Sequence, residues 1–251
     1  MTLENINIAV TTVWRKDNYL DATMSSLLVE YPLCRNHPVA LVIGSPQTEH
    51  LASYIPLAGI TILEMGPHTW SWIKDTDVRN RATWNYYRCL TQCNVGLRGS
   101  LILEDDIKFA RGWRQRLDMT LAALEARFGA EFVLTVYDGY GWHPKESFLY
   151  ASYPLQPFAG TQGVYYPARV REGYAKYLKR HGVISNKNHY DYLLRDYLTQ
   201  EEIPLFATVP SLVQHLGKNT TGVGLWHESP SFLEDVTQEP VGWIDSPLVH
   251  E

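Results

Sequence analysis

Short apolar segments alternate with stretches of helical period through the first half of the chain, the pattern of a parallel sheet with helices on its faces. Residues 5–13 read as a first strand, because Ile6, Ile8 and Val10 alternate with other residues before Thr11 and Thr12. A helix over 19–30 carries Leu20, Met24, Leu27 and Leu28 on one stripe. Residues 39–44 and 60–65 read as buried strands, with a short helix over 49–55 between them. Residues 80–93 read as a further helix, and 101–104 as a strand that runs into Glu104-Asp105-Asp106.

The second half is less regular. A helix over 113–128 is apolar at Leu117, Leu121, Leu124 and Phe128 and stops at Gly129. Strands are expected over 132–136, 163–166 and 205–213, and helices over 169–179 and 190–198. Residues 138–157, rich in Gly, Pro, Tyr and His without period, read as a long loop, and loops of that length are commonly functional. The segment from 222 onward has no period and is expected to drape over the site or stay mobile. The 251 residues, 45% hydrophobic and 20% charged, suit one compact α/β domain. No run of about 20 apolar residues is present, and the first residues lack a basic and apolar leader pattern, so no membrane insertion and a cytoplasmic location are expected. Cys34, Cys89 and Cys93 lack zinc spacing and read as reduced core thiols. The net charge of -5 disfavours a broad grip on nucleic acid.

Three acids directly after an apolar strand repel one another unless a cation compensates them. Hard oxygen ligands of this kind suit Mg2+ or Mn2+, which keep positions open for water and a diphosphate. The carboxyl end of a strand is where ligands bind in open α/β sheets. A solvated turn capping the next helix is the competing reading of the triplet alone.

The stretch LILEDDI resembles the D-x-D or E-D-D signature of GT-A glycosyltransferases. NIAVTTVWRKDNYLDATMSSLL is similar to their opening strand, loop and helix, and RNRATWNYYRCL to the helix near base and ribose. GTQGVYYP, HYDYLLRDYL and PSLVQHLGKNTTG resemble the acceptor-side strand, the helix with a catalytic carboxylate, and the segment with a metal-binding His. The nearest likeness is to inverting, N-acetylglucosaminyltransferase-like branches.

The resemblance implies a single GT-A, Rossmann-like domain over 1–251, with a mostly parallel central sheet. Residues 1–110 would form the nucleotide-sugar half, 111–221 the acceptor half and 222–251 a tail. It implies Mn2+ (or Mg2+) held by Asp106 and His215, with Glu104 and Asp105 facing the ribose or metal-bound water. Thr11, Thr12, Arg15, Arg81, Asn85 and Lys218, with Asn219 beside it, would contact the nucleotide-sugar, implied to be a UDP-sugar. Asp191 would be the general base of an inverting transfer, with Asp196 and Asp138 as rivals. Tyr137, Tyr140, Trp142, His143 and Gln162 would line the acceptor side. A soluble glycan or small molecule ranks first as acceptor; a hydroxylated nucleobase in DNA and a protein remain open. A nucleotidyltransferase is an alternative, although TTVWRKDNY lacks its phosphate-loop glycines. A binding module without catalysis is another, and a glycoside hydrolase a lesser one, since it needs two carboxylates at a set separation.

Overall fold

The computed structural model describes residues 6–33, 38–92, 98–139, 147–156, 158, 160–183, 189–218 and 227–243. The first half builds β1 (Ile6–Thr12), α1 (Leu20–Leu28), β2 (Val39–Ile43), β3 (Ile60–Leu63), α2 (Pro67–Ile73), α3 (Val78–Gln92) and β4 (Gly99–Glu104). There follow β5 (Ile107–Phe109), α4 (Trp113–Phe128), β6 (Val133–Thr135), β7 (Phe148–Ser152), β8 (Gly163–Pro167), α5 (Ala168–Leu178), α6 (Tyr190–Gln200), β9 (Leu205–Val209) and β10 (Val213–His215).

Eight strands form one mixed sheet in the order β3-β2-β1-β4-β8-β6-β9-β7. The pairings β3–β2, β2–β1, β1–β4 and β6–β9 are parallel, while β4–β8, β8–β6 and β9–β7 are antiparallel. Strands of the 1–110 and 111–221 segments therefore share one sheet. Both faces are covered, which is why β2 and residues 101–103 of β4 read as continuous apolar runs. Ile6, Ile8 and Val10 of β1 pack with Leu20, Met24 and Leu27 of α1 and with the apolar stripe of α4, whereas Ala9 faces the core under α3, α5 and α6.

The structure revises four local expectations. Residues 138–157 contain a strand, β7, which pairs antiparallel with β9 across an irregular register. Its sequence FLYAS shows no clean alternation, and Tyr150 is held by an edge contact to Phe206, a tertiary cause. The single strand expected over 205–213 is two, because Pro210 has no N–H for the ladder; β10 leaves the main sheet and pairs antiparallel with β5. The expected helix over 49–55 shortens to a single 3-10 turn, Glu49–Leu51. The helix α2 was not foreseen, although Gly66 and Pro67 give it a normal start.

The described part of the tail, 227–243, runs from the cavity, where Tyr137 donates to the His227 carbonyl and Gln214 to that of Ser229, across to α4 and β7. Arg116 donates to the Val236 carbonyl, Leu149 N–H donates to Gly242, and Arg111 bridges to Asp235. Cys89 is buried in the core; Cys34 and Cys93 lie outside the described residues. Among the described residues no helix is long and apolar enough to cross a membrane.

Candidate metal and ligand site

The chain runs from β1 outward to β2 and β3, then returns to place β4 on the other side of β1. The strand order reverses there, and a crevice lies at the strand carboxyl ends, where ligands bind in such sheets; the loops leaving β1 and β4 meet in its wall, Thr12 reaching Asp105 and Arg15 reaching Asp106. The register sets Thr11 of β1 opposite Glu104, the last residue of β4. A cavity of about 780 Å³ opens here, within the size range of small-molecule sites.

The acidic turn is fixed from below. The Thr23 hydroxyl of α1 lies 2.8 Å from the Asp105 carbonyl and 2.7 Å from that of Ile107, and accepts the Ile107 N–H at 3.0 Å. The β5–β10 ladder then sets His215 opposite Ile107, and Leu216 N–H donates to the Asp106 carbonyl at 2.7 Å. One ligand atom each from Glu104, Asp106 and His215 lies within 4.8 Å of the others, a set able to hold a metal ion.

Two further observations fit a cation. Asp106 Oδ1 is buried with no hydrogen-bond partner among the described residues. Gly217 is side-chain-free where a Cβ would collide with Asp106 Oδ2 and come within 3.0 Å of His215 Nε2. Two carboxylates and an imidazole are an oxygen-rich, borderline donor set suited to a divalent ion.

The three acids thus divide their work. Asp105 turns away from the cluster, accepting from Thr12 Oγ1 at 2.6 Å, from Val13 N–H at 3.3 Å and from Arg15. Glu104, expected to face the ribose or metal-bound water, contributes an oxygen to the set with Asp106 and His215. It accepts from the Tyr190 hydroxyl at 2.9 Å and lies 3.3 Å from the Thr161 hydroxyl. Burial, then the charges of Asp106 and Asp191, push the Glu104 carboxyl up to about 7, though the side chain keeps some contact with the cavity. Burial also raises Asp105, to about 6, against the pull of Arg15. For Asp106 burial acts upward, but the His215 hydrogen bond and Arg15 outweigh it and hold the carboxyl below its ordinary value. Burial would lower His215, and the bond to Asp106 prevails and raises it.

Neither a protein-family model nor a curated protein matches the chain. The site therefore has to be read from its own geometry.

Thr11, Thr12, Arg15, Arg81, Asn85, Gln162 and Asp191 all line the same cavity as the acids and His215. Asn85 Nδ2 donates to Thr11 Oγ1 at 2.6 Å and to the Val42 carbonyl at 3.0 Å, which ties α3 to the ends of β1 and β2. Arg81, four residues earlier on the same helix face, donates at 2.5 Å to the Thr76 carbonyl. Asp191 sits in the first turn of α6, where it accepts from Thr161 at 2.7 Å and has His189 Nδ1 3.5 Å away. Neither rival carboxylate lines the cavity. Asp196 pairs with Arg195, and Asp138 is fully buried and accepts from Ser231.

Tyr137 and Lys218 stand outside the cavity lining. Tyr137 is buried beneath it, its hydroxyl donating to the His227 carbonyl, because the end of β6 is enclosed by core. Lys218 is exposed next to Gly217. Tyr140, Trp142, His143 and Asn219 lie outside the described residues.

The structure adds residues that sequence reading passed over. Thr161 joins Glu104 to Asp191, and Tyr190 stacks on Tyr86 with centroids 4.4 Å apart. His189, Trp70, Arg79 and His227 complete parts of the wall.

Proposed function

We propose that this chain is a metal-dependent glycosyltransferase of GT-A type, moving a sugar from a nucleotide-diphosphate donor to an acceptor hydroxyl. The observation that carries the reading is the Glu104–Asp106–His215 set on the floor of a nucleotide-sugar-sized cavity at the strand-order reversal. Mn2+ fits this set better than Mg2+, because an imidazole joins the carboxylates. Bound there, the cation supplies charge neutralisation for the diphosphate as it departs.

The residues divide into two walls in this reading. Thr11, Asn85, Arg79, Arg81 and Trp70 form the nucleoside wall, whose aromatic face and polar groups suit a base and ribose, uracil by resemblance. Gln162, His189, Asp191 and Tyr192 form the acceptor wall. Asp191 takes the proton of the acceptor hydroxyl while its oxygen bonds to the anomeric carbon and the bond to the diphosphate oxygen breaks, which inverts the centre. Thr161 donates to Asp191 Oδ1, and Oδ2, 3.5 Å from His189 Nδ1, is the oxygen assigned to the acceptor proton. A soluble glycan or small molecule is the proposed acceptor class.

The test is a panel of nucleotide-sugars followed by thermal shift and by release of nucleoside diphosphate, with Mn2+ and then with EDTA. At least one donor is expected to stabilise the protein in Mn2+ only. Asp106→Asn is expected to lose donor binding, whereas Asp191→Asn keeps donor binding and loses transfer by about 10²-fold or more, the usual weight of a positioned base. Equal loss of binding in both variants would remove Asp191 from the base role. Cation-independent binding of every donor that binds would remove the metal from the reading.

A further inference from the structure

Arg15 sits between two of the acids, Asp105 and Asp106, and pairs with both. Its Nη1 donates to Asp106 Oδ2 at 2.9 Å. His215 Nε2 lies 3.4 Å from that same oxygen, and it is the oxygen beside which Gly217 has no Cβ. The guanidinium therefore shares the carboxylate that a divalent ion would need, and two cations on one buried carboxylate repel.

The other half of the guanidinium is anchored differently. Nη2 donates to Asp105, and Asp105 is held by Thr12 and Val13 and is not part of the Glu104–Asp106–His215 set. Arg15 Nε is buried with no partner among the described residues. Arg15 lies in the connection between β1 and α1, on the cavity wall, with its guanidinium 5.5 Å from the Tyr19 ring centre. Release from Asp106 would break one ion pair and leave the other as a pivot.

We infer that Arg15 is a built-in counter-cation: it neutralises Asp106 in the cation-free protein, yields that carboxylate to an entering divalent ion, and turns on Asp105 toward the diphosphate. The inference rests on the cation reading above. It makes the cation and the diphosphate cooperative ligands, because each draws Arg15 away from the carboxylate that the ion needs.

The experiment measures binding of Mn2+ alone, without nucleotide, from the free-ion electron paramagnetic resonance signal. Wild type, Arg15→Gln, Arg15→Lys and Arg111→Gln are compared, each checked by circular dichroism for folding. Arg15→Gln is expected to bind Mn2+ at least about fivefold more tightly than wild type, the lower range of a site–site coupling. Arg15→Lys, whose single ammonium cannot span Asp105 and Asp106, is expected to fall between them. If Arg15→Gln does not fold, tighter binding by Arg15→Lys still decides the matter. Arg111 pairs with Asp235 at the surface, so Arg111→Gln removes the same charge away from the site and is expected to leave Mn2+ affinity unchanged. Wild-type binding equal to or tighter than that of the folded Arg15 variants overturns the inference and spares the metal site. An equal gain in Arg111→Gln also overturns it, by exposing a general charge effect. No Mn2+ bound by any of the four proteins overturns both the inference and the cation reading.

Discussion

Glu104 carries two opposed demands, since a metal ligand must be ionised and its enclosed position favours the neutral acid. Its carboxyl, raised from an ordinary 4.5 to about 7, contributes stability that is present below 4.5 and is lost as pH rises through 7. The cation-free protein is therefore expected to lose stability from this group between about pH 4.5 and 7, measured by thermal melts in EDTA. Glu104→Gln should melt higher than wild type at pH 8 and nearly alike at pH 4.5. Mn2+ affinity of wild type should rise as pH goes from 6 to 8, because a proton competes for the same oxygen. A pH-independent gain, or none, contradicts the assignment. The acidic run was legible in the sequence; its division of labour was half legible. The chain bends at Asp105 and Asp106, so the alternation of a strand does not say which way each acid turns: the cluster takes Glu104 and Asp106, while Asp105 meets Arg15 and Thr12. Thr161 and Thr23 carried no comparable signal, because a threonine beside a glutamine or within a helix is ordinary until its partner is known.

At the scale of elements, strands that alternate or run apolar between helices were read from sequence to within a few residues, and α4 matches its expected bounds. Tertiary pairing decided the elements that were not. The strand β7 exists because β9 offers it an edge, and β10 exists as a separate unit because β5 captures the chain after Pro210. That capture brings His215 to Asp106, so a site that looks like neighbouring motifs in sequence depends on a two-stranded ladder. The helix α6 has a different task. Its first turn presents Tyr190 to Glu104 and Asp191 to the cavity, and it is held by buried Leu194 and by the Tyr190–Tyr86 stack. Leu194→Ala is expected to cost about 2–5 kcal/mol in denaturant unfolding, as for other large-to-small core changes. It should slow transfer while leaving Mn2+ affinity near wild type, because Asp106 and His215 sit on other elements. An equal fall in Mn2+ affinity would show that α6 holds the metal set together.

For the whole molecule, the decisive fact is one that a single sequence cannot state: the order of strands in the sheet. The reversal between β1 and β4 brings two separate stretches, Thr11 to Arg15 and Glu104 to Asp106, together in the wall of one crevice. The mixed character of the sheet comes from β8, whose antiparallel pairing on both sides joins the two halves of the chain, and from β7, antiparallel to β9. Charge repulsion among acids, relieved by a cation, is the claim on which donor binding, the role of Arg15 and the pH behaviour of Glu104 all depend. Its most direct test is a crystal grown with Mn2+ and a nucleoside diphosphate, measured at a wavelength that gives anomalous scattering from manganese. The account predicts an anomalous peak bonded to Asp106 and His215, with Glu104 beside it, the diphosphate on the same ion and Arg15 withdrawn from Asp106. A map with no peak there, and Arg15 still paired to Asp106, would contradict it.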